Sequence, residues 1–296
     1  MIGDGPAGGT RDAIDRARSF MRDWHARFTR FEDDSELSRL NADPRRVVPV
    51  SDAMARFAEA VVEAARQTGG LVDATLLGEI EVAGYRGDLE ASIPLPLVLE
   101  SAPVRRPAGP SPRRNWDQIA VDRSRGTVSR PVGVRLDSGG LAKGLAADLL
   151  ACVLGDHACF AINAAGDVRV GGKEGIPRRV KVASPFDGAT LHTFALTDAG
   201  VATSGIGRRS WLGADGAPAH HLLDPASGQP AFTGVVQATA LARTALEAEV
   251  RAKAAVLSGP ARAPSWLGDG GVLVFDDGRY QLIEPIRPAH AGAAGS

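Results

Sequence analysis

The chain has 296 residues with 34 Lys plus Arg and 35 Asp plus Glu, a formal net charge of -1. That balance leaves no basic footprint for a nucleic-acid backbone. Its two cysteines, Cys152 and Cys159, exclude a disulfide framework and a Cys-based zinc site.

In chain order, Ile14, Ala17, Phe20, Met21, Trp24 and Phe28 recur at three- and four-residue spacing and predict a helix over 11–30. A turn follows, then a short helix capped by Ser35. Ser51 opens a helix over 51–67, and Gly69-Gly70 stops it. Residues 92–114 carry six prolines and four arginines and read as a surface loop. Beyond Ile119, strands are expected at Val128 to Leu136, Phe160 to Ile162, Arg179 to Val182, Thr193 to Leu196, Val235 to Leu241 and Gly271 to Phe275. Helices are expected from Leu141 to Leu154 and from Thr244 to Leu257, and the Ala/Gly-rich tail 286–296 reads as disordered. No run of about 18 apolar residues predicts a transmembrane helix. No basic-then-apolar leader is visible, and the expected compartment is the cytoplasm.

Four stretches can carry chemistry. In Asp137-Ser138-Gly139-Gly140-Leu141-Ala142-Lys143-Gly144 a strand end meets a small-residue turn and a helix start. Unpaired N–H groups there favour anions, and Lys143 adds positive charge. The alternative is a plain strand–helix turn. In His220-His221-Leu222-Leu223-Asp224-Pro225, a histidine suits proton transfer near neutral pH. Asp224 either orients it or organises a turn. Thr244 and Glu247 match a capping box. Glu249 and Lys253 are four apart, either a surface ion pair or, through Glu249, a hard oxygen ligand. Thr68-Gly69-Gly70 reads as a helix C-cap, with a ligand platform as the alternative.

Taken together and in order, these stretches resemble the FAD:protein FMN transferase, or ApbE, family. The carrying segments are FTRFEDDSELSRLNA, TGGLVDATLLGEIEVAGY, LDSGGLAKGLAAD, INAAGDVRVGG, VATSGIGRRSW, HHLLDPASGQP and TALEAEVRAKAAVLSG, spanning residues 28 to 259. The resemblance implies an α+β fold in one domain over 11–285, with mixed or antiparallel sheets flanked by helices and a central FAD cleft. It implies Mg²⁺-assisted transfer of FMN from FAD to a Thr or Ser hydroxyl of an acceptor protein, with release of AMP. Leu71, Val72, Asp73, Asp137, Lys143 and Leu223 would contact FAD. The Gly140 carbonyl and Glu249 would hold the metal, and His221 with Asp224 would be catalytic.

Four departures accompany the resemblance. The family's metal-binding Asp is Glu249 here, and its metal-binding Thr aligns with Lys253. A protonated ammonium has no lone pair for Mg²⁺, so Lys253 either pairs with Glu249 and weakens metal binding or replaces part of the metal's charge. The usual Gly-Gly-Asp is Ala165-Gly166-Asp167, and a Met-Gly-Thr strand is absent before the first helix. Rival readings are FAD hydrolysis to FMN and AMP, and a flavin-binding protein without catalysis.

Overall fold

Aromatic residues on one stripe drive the first helix, α1 (Gly9–Phe28), into the core. Trp24 packs on Phe28 with ring centroids 4.2 Å apart, and Phe28 meets Phe57 edge-on at 5.2 Å. The structure is a computed structural model describing Ile2 and residues 9–85, 87, 92–213 and 216–286. The tail expectation falls mostly outside these residues.

Helix α2 (Glu36–Ala42) is capped by Ser35, whose hydroxyl accepts the Ser38 N–H at 3.0 Å. After β1 (Val47–Pro49), Ser51 caps α3 (Asp52–Gln67) by accepting from Met54 N at 3.2 Å. Glu36 ties these helices together. Its carboxylate accepts from Arg27 at 2.8 Å and from both the Ser51 N–H and hydroxyl at 2.7 Å. Helix α3 ends in a Schellman turn, with Gly70 N–H on Ala65 O at 2.7 Å and Gly69 N–H on Arg66 O at 3.2 Å. Both glycines sit at positive φ, which Gly adopts without a Cβ clash.

Next come α4 (Leu77–Val82) and α5 (Leu95–Glu100). The latter corrects the surface-loop expectation for 92–114. Leu95 and Val98 are buried, and the Arg106 and Ala108 N–H groups donate to Phe232 O and Leu257 O at 2.9 and 2.8 Å. Strands β2 (Ala120–Asp122) and β3 (Thr127–Ser129) form a small antiparallel sheet in the order β1-β3-β2. The strand expected from Val128 to Leu136 stops at Ser129. Pro131 offers no donor, and Gly133 turns the chain at φ +84°.

Helix α6 (Ala142–Leu154) precedes β4 (Phe160–Ala164) and β5 (Asp167–Gly171). A hairpin of β6 (Arg178–Ala183) and β7 (Thr190–Leu196) follows, then β8 (Ala199–Gly205). Short pairs β9 (Ser210–Leu212) with β10 (Pro218–His220) and β11 (Leu223–Asp224) with β12 (Gln229–Pro230) lead to β13 (Val235–Ala242). Helix α7 (Ala245–Ser258), β14 (Gly271–Phe275) and β15 (Tyr280–Ile283) complete the described chain.

The largest sheet is antiparallel, in the order β15-β14-β13-β8-β5-β4. Helices α6 and α7 lie against it and against each other. The α+β expectation holds. Strand β8 escaped the sequence reading because it is Ala-, Gly- and Ser-rich with no alternation. Its Gly200 is required, since a Cβ there would sit 2.1 Å from the Thr244 carbonyl. Thr244 caps α7 by accepting from Glu247 N at 3.1 Å, but the return half of the capping box is absent. Glu247 instead accepts from Arg251 at 2.7 Å. Asp148 of α6 takes the next two N–H groups, those of Ala245 and Leu246, at 2.8 and 2.9 Å.

Candidate active site

A cleft of about 470 Å³ opens where the end of α1, the turn after α3, the start of α6 and the strand segments near Arg209 and His221 converge. It lies within the usual size range for small-molecule sites. Leu71, Val72, Asp73, Asp137, Gly140, Lys143, His221 and Leu223, all picked from sequence, line it. Glu249 and Asp224 are not among its lining residues.

The Schellman turn delivers residues 71–73 to the cleft. Asp73 accepts from the Thr75 N–H and hydroxyl at 2.8 and 2.6 Å through Oδ1, while its buried Oδ2 has no partner. Burial raises its pKa despite the Thr75 bonds. Asn41 holds the approach to Asp137, accepting from Leu136 N at 2.7 Å and donating to Leu136 O at 2.8 Å. Ser138 donates to Phe28 O at 2.7 Å, tying the turn to α1. The strand expected to end at Asp137 is an extended connection, and a single 3₁₀ turn, Ser138–Gly140, precedes α6. Burial raises the Asp137 pKa, opposed by the charges of Arg30, Arg209 and Lys253.

Two cleft arginines escaped the sequence reading. Arg30 stands over the rings of Phe31 and Tyr85, 4.6 and 4.5 Å from their centroids. It also donates to Tyr85 O at 2.8 Å and lies 3.6 Å from Asp137 Oδ1. Arg209 lies in the loop after β8. Both belong to segments that carried the resemblance, but neither shows a spacing that marks it.

Behind the cleft lies a chain of ion pairs. Lys143 Nζ bonds Asp167 Oδ2 and lies 3.5 Å from Glu249 Oε1. Lys253 Nζ donates to the same Oε1 at 2.9 Å, while Gly144 N–H donates to Oε2 at 2.9 Å. Glu249 is fully buried and Lys253 is 7% exposed, so the surface-pair reading of these two is wrong. Burial opposes ionisation of Glu249, but the two ammonium groups outweigh it and hold its pKa low. Burial likewise opposes the charge on Lys143, and Glu249 and Asp167 more than restore it. Burial and the Glu249 charge push Asp167 up to about 6, against the two lysines. Asp167 follows a turn in which Ala165 has φ +54°, a left-handed conformation uncommon outside Gly.

The Mg²⁺ site expected at Gly140 and Glu249 does not fit these residues. Magnesium needs oxygen ligands in near-octahedral array, yet both Glu249 oxygens already accept from N–H donors. A divalent ion seated on Oε1 would stand beside the Lys253 ammonium. Like unit charges about 4 Å apart repel by about 4 kcal/mol at the effective dielectric of a protein edge, and the ion carries two. Among the described residues no group of three His, Cys, Asp or Glu gathers as a metal cluster.

His221 lines the cleft with Nδ1 3.5 Å from the Arg209 carbonyl. Burial, then the charge of Arg209, drives its pKa well below the usual histidine value, so the ring is neutral at pH 7. Asp224 does not orient it, which corrects that expectation. The Asp224 carboxylate accepts from Gly109 N at 2.8 Å, Ala226 N at 3.1 Å and the Ser227 hydroxyl at 2.8 Å. It organises the turn after β11.

Compared with known proteins, residues 8–274 match the model of the ApbE family. The chain belongs to the ApbE family. An FAD:protein FMN transferase of Klebsiella pneumoniae is 26% identical over 253 residues, covering 83% of this chain and 71% of the relative. One from Treponema pallidum is 25% identical over 95% of this chain and 82% of the relative. The crystal structure of an ApbE protein from Thermotoga maritima superposes with a TM-score of 0.74 at 25% identity, covering 93% of this chain and 89% of that one. The fold that superposes on it combines helices with antiparallel sheet. No described helix is long and apolar enough to cross a membrane.

Proposed function

We propose that this ApbE-family chain is an FAD:protein FMN transferase, acting as one domain over 11–285 on FAD and on a Thr or Ser hydroxyl of an acceptor protein. The observation that supports it most is the convergence in one cleft of eight sequence-selected residues from three separate segments. The names of its relatives add the substrate class.

In this reading Leu71, Val72, Leu223 and the aromatic wall of Phe31 and Tyr85 receive the flavin and nucleoside rings. The start of α6, Lys143 and the two arginines face the pyrophosphate. As the pyrophosphate bond breaks, negative charge develops on the bridging oxygen that leaves with AMP, and positioned cations stabilise it. The acceptor hydroxyl is a weak nucleophile until a base takes its proton. Neutral His221 is suited to that step, because a tautomer with its proton on Nδ1 leaves Nε2 as the acceptor. Mg²⁺ has no step in this scheme.

The test incubates purified protein with FAD and an acceptor domain carrying a flavinylation threonine, then records the acceptor's intact mass. A gain of one FMN with release of AMP is expected. An unmodified acceptor with free FMN and AMP would make water the acceptor. FAD retained unchanged would leave only a binding protein.

A further inference from the structure

The two cleft lysines share one buried carboxylate oxygen. Lys253 donates to Glu249 Oε1 at 2.9 Å and Lys143 approaches it to 3.5 Å. Asp167 and the Gly144 N–H complete the anchorage from behind. Lys143 and Lys253 line the cleft, whereas Glu249 and Asp167 lie behind them. Each ammonium has three N–H donors, so the carboxylates fix the lysine tips and still leave donors for the cleft. Each ammonium carries its charge on a single carboxylate-anchored stem. A fixed positive charge that needs no reorganisation is what a phosphoryl-transfer site requires.

We propose that Lys253, paired with Lys143 on Glu249, is a catalytic residue that takes the place of a divalent cation, so that this enzyme transfers FMN without metal. The inference rests on the transferase reading. The acceptor hydroxyl oxygen forms a bond to the flavin-side phosphorus of FAD as that phosphorus loses its bond to the bridging oxygen. The bridging oxygen leaves with AMP, and the hydroxyl proton goes to His221 and then to solvent. No oxidant or reductant is needed. Lys253 and Lys143 face the charge that grows on the phosphoryl and bridging oxygens.

The experiment compares wild type, Lys253→Thr and Lys253→Arg, each checked for folding by its thermal melt. Transfer to the acceptor is followed by intact mass in chelator and then with added Mg²⁺. Metal occupancy is followed separately through the paramagnetic resonance signal of free Mn²⁺. Wild type is expected to keep its rate in chelator and to leave Mn²⁺ free. Lys253→Thr is expected to lose about 10²-fold in chelator, to bind Mn²⁺ stoichiometrically, and to regain rate with Mg²⁺. Lys253→Arg is expected to remain metal-independent. Loss of wild-type transfer in chelator, or stoichiometric Mn²⁺ on wild type, overturns the proposal. If Lys253→Thr does not fold, the double variant Glu249→Gln/Lys253→Met removes the pair as a neutral unit, and retained metal-free transfer in it overturns the proposal equally. A wild type that leaves Mn²⁺ free yet transfers no FMN would sink the transferase reading and the catalytic role with it, while Mn²⁺ binding by Lys253→Thr alone would still establish the lysine as the metal's replacement.

Discussion

His221 and Asp224 stand three residues apart and do different work. The histidine is held neutral by burial and by Arg209, which leaves a ring nitrogen open to take a proton that it passes on rather than keeps, whereas the aspartate is consumed by three donors of its own turn. His221→Asn is therefore expected to cut transfer by about 10²–10⁴-fold with FAD affinity nearly intact. Asp224→Asn is expected to weaken folding by about 1 kcal/mol and leave the turnover of folded enzyme close to wild type. Steady-state rates beside a fluorescence titration with FAD separate the two. A large loss of turnover in Asp224→Asn would restore the aspartate to the catalytic group.

Among the elements, the seam between α6 and α7 controls the cleft. Gly144 lets the helices meet, since a Cβ there would lie 2.7 Å from Leu246 Cα and 2.8 Å from the Ala245 carbonyl. The same residue's N–H holds Glu249, and its neighbour Lys143 reaches the cleft. Gly144→Ala forces backbone apart and is expected to destabilise by about 1–3 kcal/mol. It should also lower transfer in the fraction that remains folded, because Lys143 and Glu249 sit on the two displaced helices. Urea denaturation and the rate per folded molecule report both effects. An unchanged rate in a destabilised Gly144→Ala would detach the seam from the chemistry. The element reading also shows where sequence pattern was enough. The caps at Ser35, Ser51 and Thr244 form as their residue types require. The half-buried helix α5 was hidden by its prolines, and β8 by its lack of large side chains. In both, tertiary packing overrode weak local preference.

At the scale of the whole molecule, buried neutral histidine couples stability to pH. His220 is fully buried with its ring edge-on to Phe232 at 4.7 Å. Burial lowers its pKa to about 3, so the unfolded chain binds a proton that the folded chain refuses. Its contribution is intact above the unfolded value near 6.5 and is lost as pH falls toward 3, at about 1.4 kcal/mol per pH unit. His221 acts in the same direction. Denaturation midpoints between pH 7 and 5 should fall, and His220→Leu should flatten part of that slope. A slope unchanged by the substitution would assign it to other groups.

The sequence by itself located α1, α2, α3, α6 and α7, because caps and spacing are local properties, and through its resemblance to the ApbE family it implied the α+β class and most of the cleft list. It also placed Glu249 and Lys253 on one helix face. Only the tertiary structure decided that this face is buried, that Lys143 joins it from another helix, and that Arg30 and Arg209 enter the cleft. Burial decides their chemistry. In water Glu249 and Lys253 would be a weak surface pair, but in the low-dielectric interior the Lys253 ammonium, held 2.9 Å from Glu249 Oε1, sets a fixed positive charge beside the oxygen on which a divalent ion would have to sit.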